Sequence, residues 1–239
     1  MPHPTAHLAI GRPYDGEMQR RASSSLLAWT FLPYVAVSVL HVVLLAVGSP
    51  LAGPTKLLLM PLLAIPVLAA SRWLKPPMTL ILLLAALLFS WLGDGVGAFF
   101  PAAPELPLML LFFGIAHVAY ILLFARRLSV RRMPWRALIY ALWWVTMIAV
   151  LGPHTGGLLI AVAVYGVVLG GTAAFSARCH PLVAIGGAFF LASDTLLAFR
   201  LFLPEGLPAW SSPAVMLTYT LGQGLIIAGA LVTLRKRAV

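Results

Sequence analysis

Apolar residues run along this chain in long continuous blocks, separated by short polar or proline-bearing breaks. They do not alternate with polar residues as the strands of a membrane β-barrel would. A helix needs about 20 apolar residues to cross the hydrocarbon core of a bilayer. Cut at that length, the chain predicts eight spans, at 25–47, 55–71, 78–100, 106–125, 135–151, 157–175, 182–203 and 213–234. The breaks carry residues that stop helices: Gly48-Ser49-Pro50, Pro76-Pro77, Pro101 with Pro104, Gly152-Pro153, and Pro204 with Pro208. Within span two, Pro61 and Pro66 should kink the helix and free carbonyls that neighbours or water must satisfy. In span six the small-xxx-small spacing of Gly166 and Gly170 predicts a close helix crossing. The expected architecture is an all-α polytopic membrane protein, with residues 1–24 a polar cytoplasmic tail and 25–239 a single eight-helix transmembrane domain.

Composition agrees. Hydrophobic residues make up 62% of the chain and charged ones 9%, with a mean hydropathy of +1.00. A soluble domain carries about 25% charged residues, so this chain cannot clothe a water-facing surface. The net charge of +10 would suggest nucleic acid in a soluble protein. Here the basic residues sit in short loops between apolar runs, so the expected partners are membrane lipids with anionic headgroups, and no nucleic acid. Fourteen of the sixteen fall on one side: Arg12, Arg20, Arg21, Arg72, Lys75, Arg126, Arg127, Arg131, Arg132, Arg136, Arg178, Arg235, Lys236 and Arg237. Only Lys56 and Arg200 fall on the other. Eight spans with both termini cytoplasmic satisfy the positive-inside rule throughout. The N-terminal tail lacks a small-residue cleavage site at the right distance and reads as part of the protein, not as a signal. The expected location is a bacterial inner membrane. The single cysteine, Cys179, excludes an internal disulfide.

Only two acidic residues lie within hydrophobic spans, and they occupy matching places in similar stretches one hundred residues apart. Asp94 lies in FSWLGDGVGAFFPAAPE (89–105) and Asp194 in FFLASDTLLAFRLFLPE (189–205). Aligned without a gap, the stretches share Phe89/Phe189, Asp94/Asp194, Ala98/Ala198, Phe99/Phe199, Pro104/Pro204 and Glu105/Glu205. Spans three–four and seven–eight enter in the same direction, so the expectation is a parallel pseudo-repeat of two four-helix halves. A carboxylate in a bilayer costs roughly 2.5–3.5 kcal/mol on insertion scales. A pair of them points to chemistry or ion handling over helix packing. Other polar residues fall at the same depth. Lys56 sits at the outer mouth of span two, with Ser90 one turn below Asp94 and Ser193 just before Asp194. His117 and Tyr120 share one face of span four, and Tyr219 and Gln223 one face of span eight. Singly, each has an ordinary explanation as a core histidine, a snorkelling lysine or an interfacial tyrosine; their common level favours a joint site.

At these residues the chain resembles the YhhN/TMEM86 family of integral membrane proteins, whose characterised animal members are lysoplasmalogenases. The resemblance covers roughly residues 30–235. It is carried by Lys56-Leu57-Leu58-Leu59-Met60-Pro61, Phe89-Ser90-Trp91-Leu92-Gly93-Asp94 and Phe113-Gly114-Ile115-Ala116-His117-Val118-Ala119-Tyr120. It continues in Ser193-Asp194-Thr195-Leu196-Leu197-Ala198 and Thr218-Tyr219-Thr220-Leu221-Gly222-Gln223. Relatives usually follow the first Gly-Asp with apolar residues, whereas Gly95 and Gly97 flank Val96 here, which should loosen the helix beside Asp94. The resemblance implies hydrolysis of the vinyl ether of a lysoplasmalogen, a lyso-phospholipid, to a fatty aldehyde and a glycerophospho-base.

Paired carboxylates suit that reaction with no cofactor and no metal. An acid protonates the outer alkenyl carbon, and water adds to the resulting oxocarbenium ion, the logic of the two carboxylates of glycosidases. Asp94 and Asp194 are the candidate catalytic residues. Lys56 would favour the ionised form of a nearby aspartate or hold the lipid phosphate at the outer mouth, the second role being preferred. Ser90, His117, Tyr120, Ser193, Tyr219 and Gln223 are the supporting candidates. Rival chemistries find less support. An intramembrane aspartyl protease lacks its Gly-x-Gly-Asp, because Trp91 takes the first glycine position, and its Tyr-Asp, because Ser193 precedes Asp194. A zinc site would have to be built from His41, His117 and His154, of which only the first two lie in spans. The competing class is a non-enzymatic proton-coupled transporter or lipid-binding protein, since repeated halves with intramembrane acids also mark carriers.

Overall fold

The computed structural model describes residues 26–238, so the expected tail at 1–24 lies outside the described residues. Among these the chain is helical and contains no strand. The principal helices are α1 (Leu32–Ala46), α2 (Ala52–Ala69), α3 (Met78–Asp94) and α4 (Glu105–Leu123). They are followed by α5 (Leu138–Leu151), α6 (Leu159–Ser176), α7 (Pro181–Phe202) and α8 (Ser211–Ala238). Seven of these, with their flanking turns, are long and apolar enough to cross a membrane. The exception is α3, which has 17 residues. Span three was expected to continue to residue 100, but the helix breaks at Gly95 and resumes as a short turn, Val96–Phe99. The physical reason is local. The Phe99 ring folds back over Trp91, centroids 4.6 Å apart, and occupies the space a Cβ at Gly95 would need. The loosening expected from Gly95 and Gly97 thus takes the form of a helix end immediately after Asp94.

The helices pack in a closed circuit in which α1 meets α2, α2 meets α3 and α3 meets α4. The circuit continues from α4 to α6, α6 to α7, α7 to α8, and from α8 back to α1. The α5 helix stands outside it against α6 and turns most of its surface to the hydrocarbon. The most extensive packings are α7 on α8 and α3 on α4.

The first of these is a backbone-to-backbone crossing. A Cβ on Gly186 would lie 2.8 Å from the Gly222 carbonyl oxygen, one on Gly222 would lie 2.8 Å from the Phe190 nitrogen, and one on Gly229 would lie 2.8 Å from the Val183 nitrogen. Without a hydrophobic drive between helices in lipid, such close approach is what holds them together. The glycines singled out in span six do something different. Gly166 makes room for the Trp144 indole of α5, 2.8 Å from where its Cβ would stand, while the nearest backbone atom to a Cβ on Gly170 is the Tyr140 carbonyl oxygen at 3.6 Å.

Pro61 frees a backbone carbonyl, as expected, within the continuous helix Ala52–Ala69. Lacking an N–H, it cannot donate to the carbonyl four residues earlier, that of Leu57. The Trp91 indole of α3 donates to that oxygen at 2.9 Å, so the proline-bearing α2 is tied to the helix that carries Asp94.

At one end of the bundle the basic loops are stitched together. Arg131 Nε donates to the Ala177 carbonyl at 2.9 Å, Val130 N to the Arg178 carbonyl at 2.9 Å, and Arg237 to the carbonyls of Arg127 and Ser129. The basic connections assigned to one side by sequence therefore do share one end of the bundle.

Three outcomes are expected from this packing. Gly222→Leu drives a side chain into the α7 backbone and should cost at least the ~1–3 kcal/mol typical of overpacking, read from unfolding in mixed detergent. Trp91→Phe keeps most of the ring but orphans the Leu57 carbonyl, for an expected loss of about 1–3 kcal/mol in the same assay. Cys179 is buried in the α6–α7 connection, outside the spans, and burial pushes its thiol up to about 12. It should stay protonated and resist maleimide at pH 8 in the folded protein, and react after unfolding in SDS.

Candidate functional site

Inside the circuit, side chains from six helices meet around the two aspartates. The α3 helix presents Ser90 and Asp94 one turn apart, and α4 presents Phe113, His117 and Tyr120 at spacings of four and three, a single inward face. The α7 helix adds Phe190 and Asp194, and α8 adds Tyr219 and Gln223. Gly93 lets α4 approach, since a Cβ there would stand 2.6 Å from the Phe113 ring.

Asp94 is buried, its side chain only 3% exposed, yet both of its oxygens have partners. Lys56 Nζ, from the first turns of α2, is 3.2 Å from Oδ1. The Tyr219 hydroxyl donates to Oδ2 at 2.7 Å. Behind Tyr219, Gln223 Nε2 donates to the Ser90 hydroxyl at 3.0 Å and reaches the Tyr219 oxygen at 3.5 Å, while its Oε1 accepts from the Tyr120 hydroxyl. Ser90, Tyr120 and Gln223 are fully buried, and this relay leaves Tyr219 facing the carboxylate. Lys56 was expected to hold a phosphate in preference to pairing with an aspartate; the structure pairs it with Asp94.

Asp194 has a different set of partners. The Tyr165 hydroxyl of α6 donates to its Oδ2, and His117 Nε2 lies 3.7 Å from the same oxygen and 3.3 Å from the Tyr165 oxygen. The other ring nitrogen of His117, Nδ1, is 3.0 Å from the Thr172 hydroxyl. That hydroxyl is committed as a donor to the Val168 carbonyl at 2.9 Å, so it accepts from Nδ1–H. His117 thus stands with one ring nitrogen at Thr172 and the other at the Tyr165–Asp194 pair.

Between the carboxylates lies an aromatic wall. Phe190 stands edge-on to Tyr219 at 5.5 Å and to His117 at 4.8 Å, and Phe113 edge-on to Tyr219 at 6.1 Å. The principal neighbours of α3 are α2 and α4, and those of α7 are α6 and α8, so the acids face each other across the interior.

A cavity of about 50 Å³ adjoins Asp194, lined by Tyr165, Phe113 and apolar residues of α4, α6 and α7. A larger groove of about 480 Å³ runs between α4 and α6 and shares Tyr165 and Leu110 with it.

Eight of the nine candidate residues therefore belong to one or other carboxylate network: Lys56, Ser90, Asp94, Tyr120, Tyr219 and Gln223 to the first, His117 and Asp194 to the second. Ser193 does not. Its hydroxyl donates to the Val215 carbonyl of α8 at 3.0 Å, because neighbouring residues on a helix point in different directions. Tyr165 and Thr172 were missed. They stand seven apart on one face of span six, a polar pair in an apolar helix; the depth argument applied to the other spans would have found Tyr165, and the shared face would have added Thr172.

The two networks are built alike. Asp94 on α3 takes one partner from α2 and one from α8; Asp194 on α7 takes one from α6 and one from α4. Each acid is thus served by the helix before it and by the last helix of the opposite half.

Comparison with curated proteins found no match, and comparison with solved structures found none. A family model, that of the YhhN family, matches residues 51–230, a stretch that contains every residue of both networks. With three quarters of its length covered by that match, the chain belongs to the YhhN family.

Proposed function

We propose that this protein is a membrane-embedded hydrolase of the lysoplasmalogenase type, which cleaves the vinyl ether of a lyso-ether phospholipid to a fatty aldehyde and a glycerophospho-base. The observation that carries this reading is the pair of buried carboxylates, each hydrogen-bonded by a tyrosine and each next to one basic group. Family membership and the resemblance of the site motifs to those of lysoplasmalogenases support it. The proposal includes eight membrane crossings with both termini cytoplasmic, α3 and the turn after it forming the eighth. It also includes descent of the two halves from one four-helix repeat, supported by the matching partner sets of the two acids.

The two acids divide the work by the basic group each one holds. Lys56 and Asp94 are together neutral as an ion pair, which gives the site a fixed anion to face a developing oxocarbenium ion. His117 and Asp194 are neutral together when they share one proton, which either can carry. That proton is the mobile one. Asp194 delivers it to the outer alkenyl carbon, the C–H bond forms as the double-bond electrons leave, and positive charge develops on the carbon bonded to the ether oxygen. Water adds to that carbon and loses its proton back to the Asp194–His117 pair. The hemiacetal then collapses to aldehyde and the free hydroxyl of the glycerophospho-base, so that one water is consumed. A cavity of about 50 Å³ beside Asp194 has room for one or two waters at the ~30 Å³ each occupies in the liquid. The substrate's hydrocarbon chain follows the α4–α6 groove, which opens to the bilayer and meets that cavity at Tyr165.

The primary test is release of long-chain aldehyde from a lysoplasmalogen by the purified protein. Proton-dependent uptake into vesicles without any product would instead support a carrier. Asp94→Asn and Asp194→Asn should each lower turnover by about 10²–10⁴, the range of general acid–base catalysis, while the protein stays folded. Near-normal aldehyde release by either variant would exclude carboxylate catalysis. The rate should follow a bell-shaped pH profile whose limbs belong to the coupled groups together. Replacing Tyr165 by Phe removes the hydrogen bond to Asp194 and should lower turnover while leaving the folded protein intact.

A separate outcome concerns Lys56. Lys56→Met strands the Asp94 carboxylate in the interior and should lower stability in detergent, whereas Lys56→Met with Asp94→Asn should regain most of it. If the double variant is as unstable as the single one, the pair is not coupled.

A further inference from the structure

The end of the bundle opposite the aspartates holds a second polar cavity, of about 370 Å³, that the proposed chemistry does not use. Three separate parts of the chain close it: the turn after α2 with Arg72, Trp73 and Lys75, the end of α4 with Arg126 and Arg127, and the end of α8 with Arg237. The α4 helix does not simply stop there but widens into a π turn, Phe124–Leu128, which carries both of its arginines.

Two of these cations are held in place. Arg237 is clamped by the Arg127 and Ser129 carbonyls, and Arg72 lies over the Trp73 ring at 5.4 Å, as does Arg235. No carboxylate among the described residues is available to them. Asp94 and Asp194 are engaged in the other site, and Glu105 and Glu205 belong to connections at the far end of the helices. One further atom points to a missing partner: Arg127 Nε is buried and has no hydrogen-bond acceptor. A positive-inside signal needs only charge in the loops. It does not need five cations gathered from three segments around a cavity, nor a desolvated guanidinium nitrogen left unpaired.

We propose that this cavity binds the phosphate of an anionic phospholipid headgroup, with Arg126, Arg127 and Arg237 around the phosphate oxygens and Trp73 as an interfacial wall. Arginine forks match phosphate geometry, and basic recesses between transmembrane helices on the positive side suit such lipids. A soluble phosphate offers the same oxygens, but the cavity lies where helix ends meet the headgroup layer and a tryptophan sits at the boundary. The site is independent of the hydrolase reading, because none of its residues belongs to the aspartate networks.

The test uses the full-length protein in uncharged detergent, titrated with phosphatidylglycerol, phosphatidylcholine or glycerol 3-phosphate, with bound lipid read by native mass spectrometry and stability by thermal unfolding. Phosphatidylglycerol should be retained at one per protein and raise the unfolding temperature, and phosphatidylcholine should not. Arg127→Gln should weaken retention by roughly tenfold, the loss of one charge-assisted contact. Arg126→Gln, an exposed lining position, should do the same if Arg127→Gln proves unstable. Arg136→Gln removes the same charge at the same end, outside the cavity, and should change nothing. Equal losses in Arg136→Gln, or retention unchanged by both cavity variants, would overturn the site. Stabilisation by glycerol 3-phosphate equal to that by phosphatidylglycerol would overturn its assignment to a lipid.

Discussion

A polar group inside hydrocarbon has no water to turn to, and must find every partner within the protein. That constraint organises this molecule. Two carboxylates placed in apolar helices compel the rest of the bundle to supply a lysine, a histidine and two tyrosines to meet them, together with the groups that orient those partners. The glutamine of α8 illustrates the depth of the requirement. It bonds Tyr120, Ser90 and Tyr219 at once, and so links α3, α4 and α8 through a fully buried amide. The same rule operates on the backbone, where the carbonyl that Pro61 leaves open is taken by the Trp91 indole.

Satisfying these groups needs close and reproducible helix contacts, which is the part played by the small residues. Gly186, Gly222 and Gly229 bring α7 and α8 to backbone contact, and thereby set Asp194 and Phe190 at fixed positions relative to Tyr219 and Gln223. Gly93 does the same for α3 and α4 by admitting the Phe113 ring. The aromatic side chains between the two acids then keep them apart. The consequence is one interior with two electrostatic settings. One acid faces a lysine and a tyrosine, the other a histidine and a tyrosine.

Charge is distributed along the membrane normal with the same economy. The acids occupy the interior and one end of the helices; the arginines of the loops gather at the other, where carbonyls, indole rings and a cavity receive them. The proposed orientation and the proposed anion site then draw on one set of side chains, because both depend on positive charge held at a headgroup layer.

Much of this was legible in the sequence, because lipid imposes rules that act locally. The continuous apolar runs set helix number and approximate ends, and the basic loops marked the end they share. The rarity of acids in apolar spans singled out Asp94 and Asp194 without any knowledge of their surroundings. Common depth along the helices was enough to gather His117, Tyr120, Tyr219, Gln223, Ser90 and Lys56, since rise per residue is constant. What depth cannot supply is rotation about the helix axis and the identity of the facing helix. Ser193 shares the level of Asp194 but points at Val215 of α8, and Tyr165 shares it from a helix whose glycines drew the eye first, with Thr172 two turns further on at His117. Whether Lys56 met a carboxylate or a headgroup, and which helices separate the two acids, likewise depended on how α2, α4 and α8 turn toward the interior. One-dimensional pattern determines what must be buried and how deep. Only the packing of helix against helix decides which partner each buried group receives.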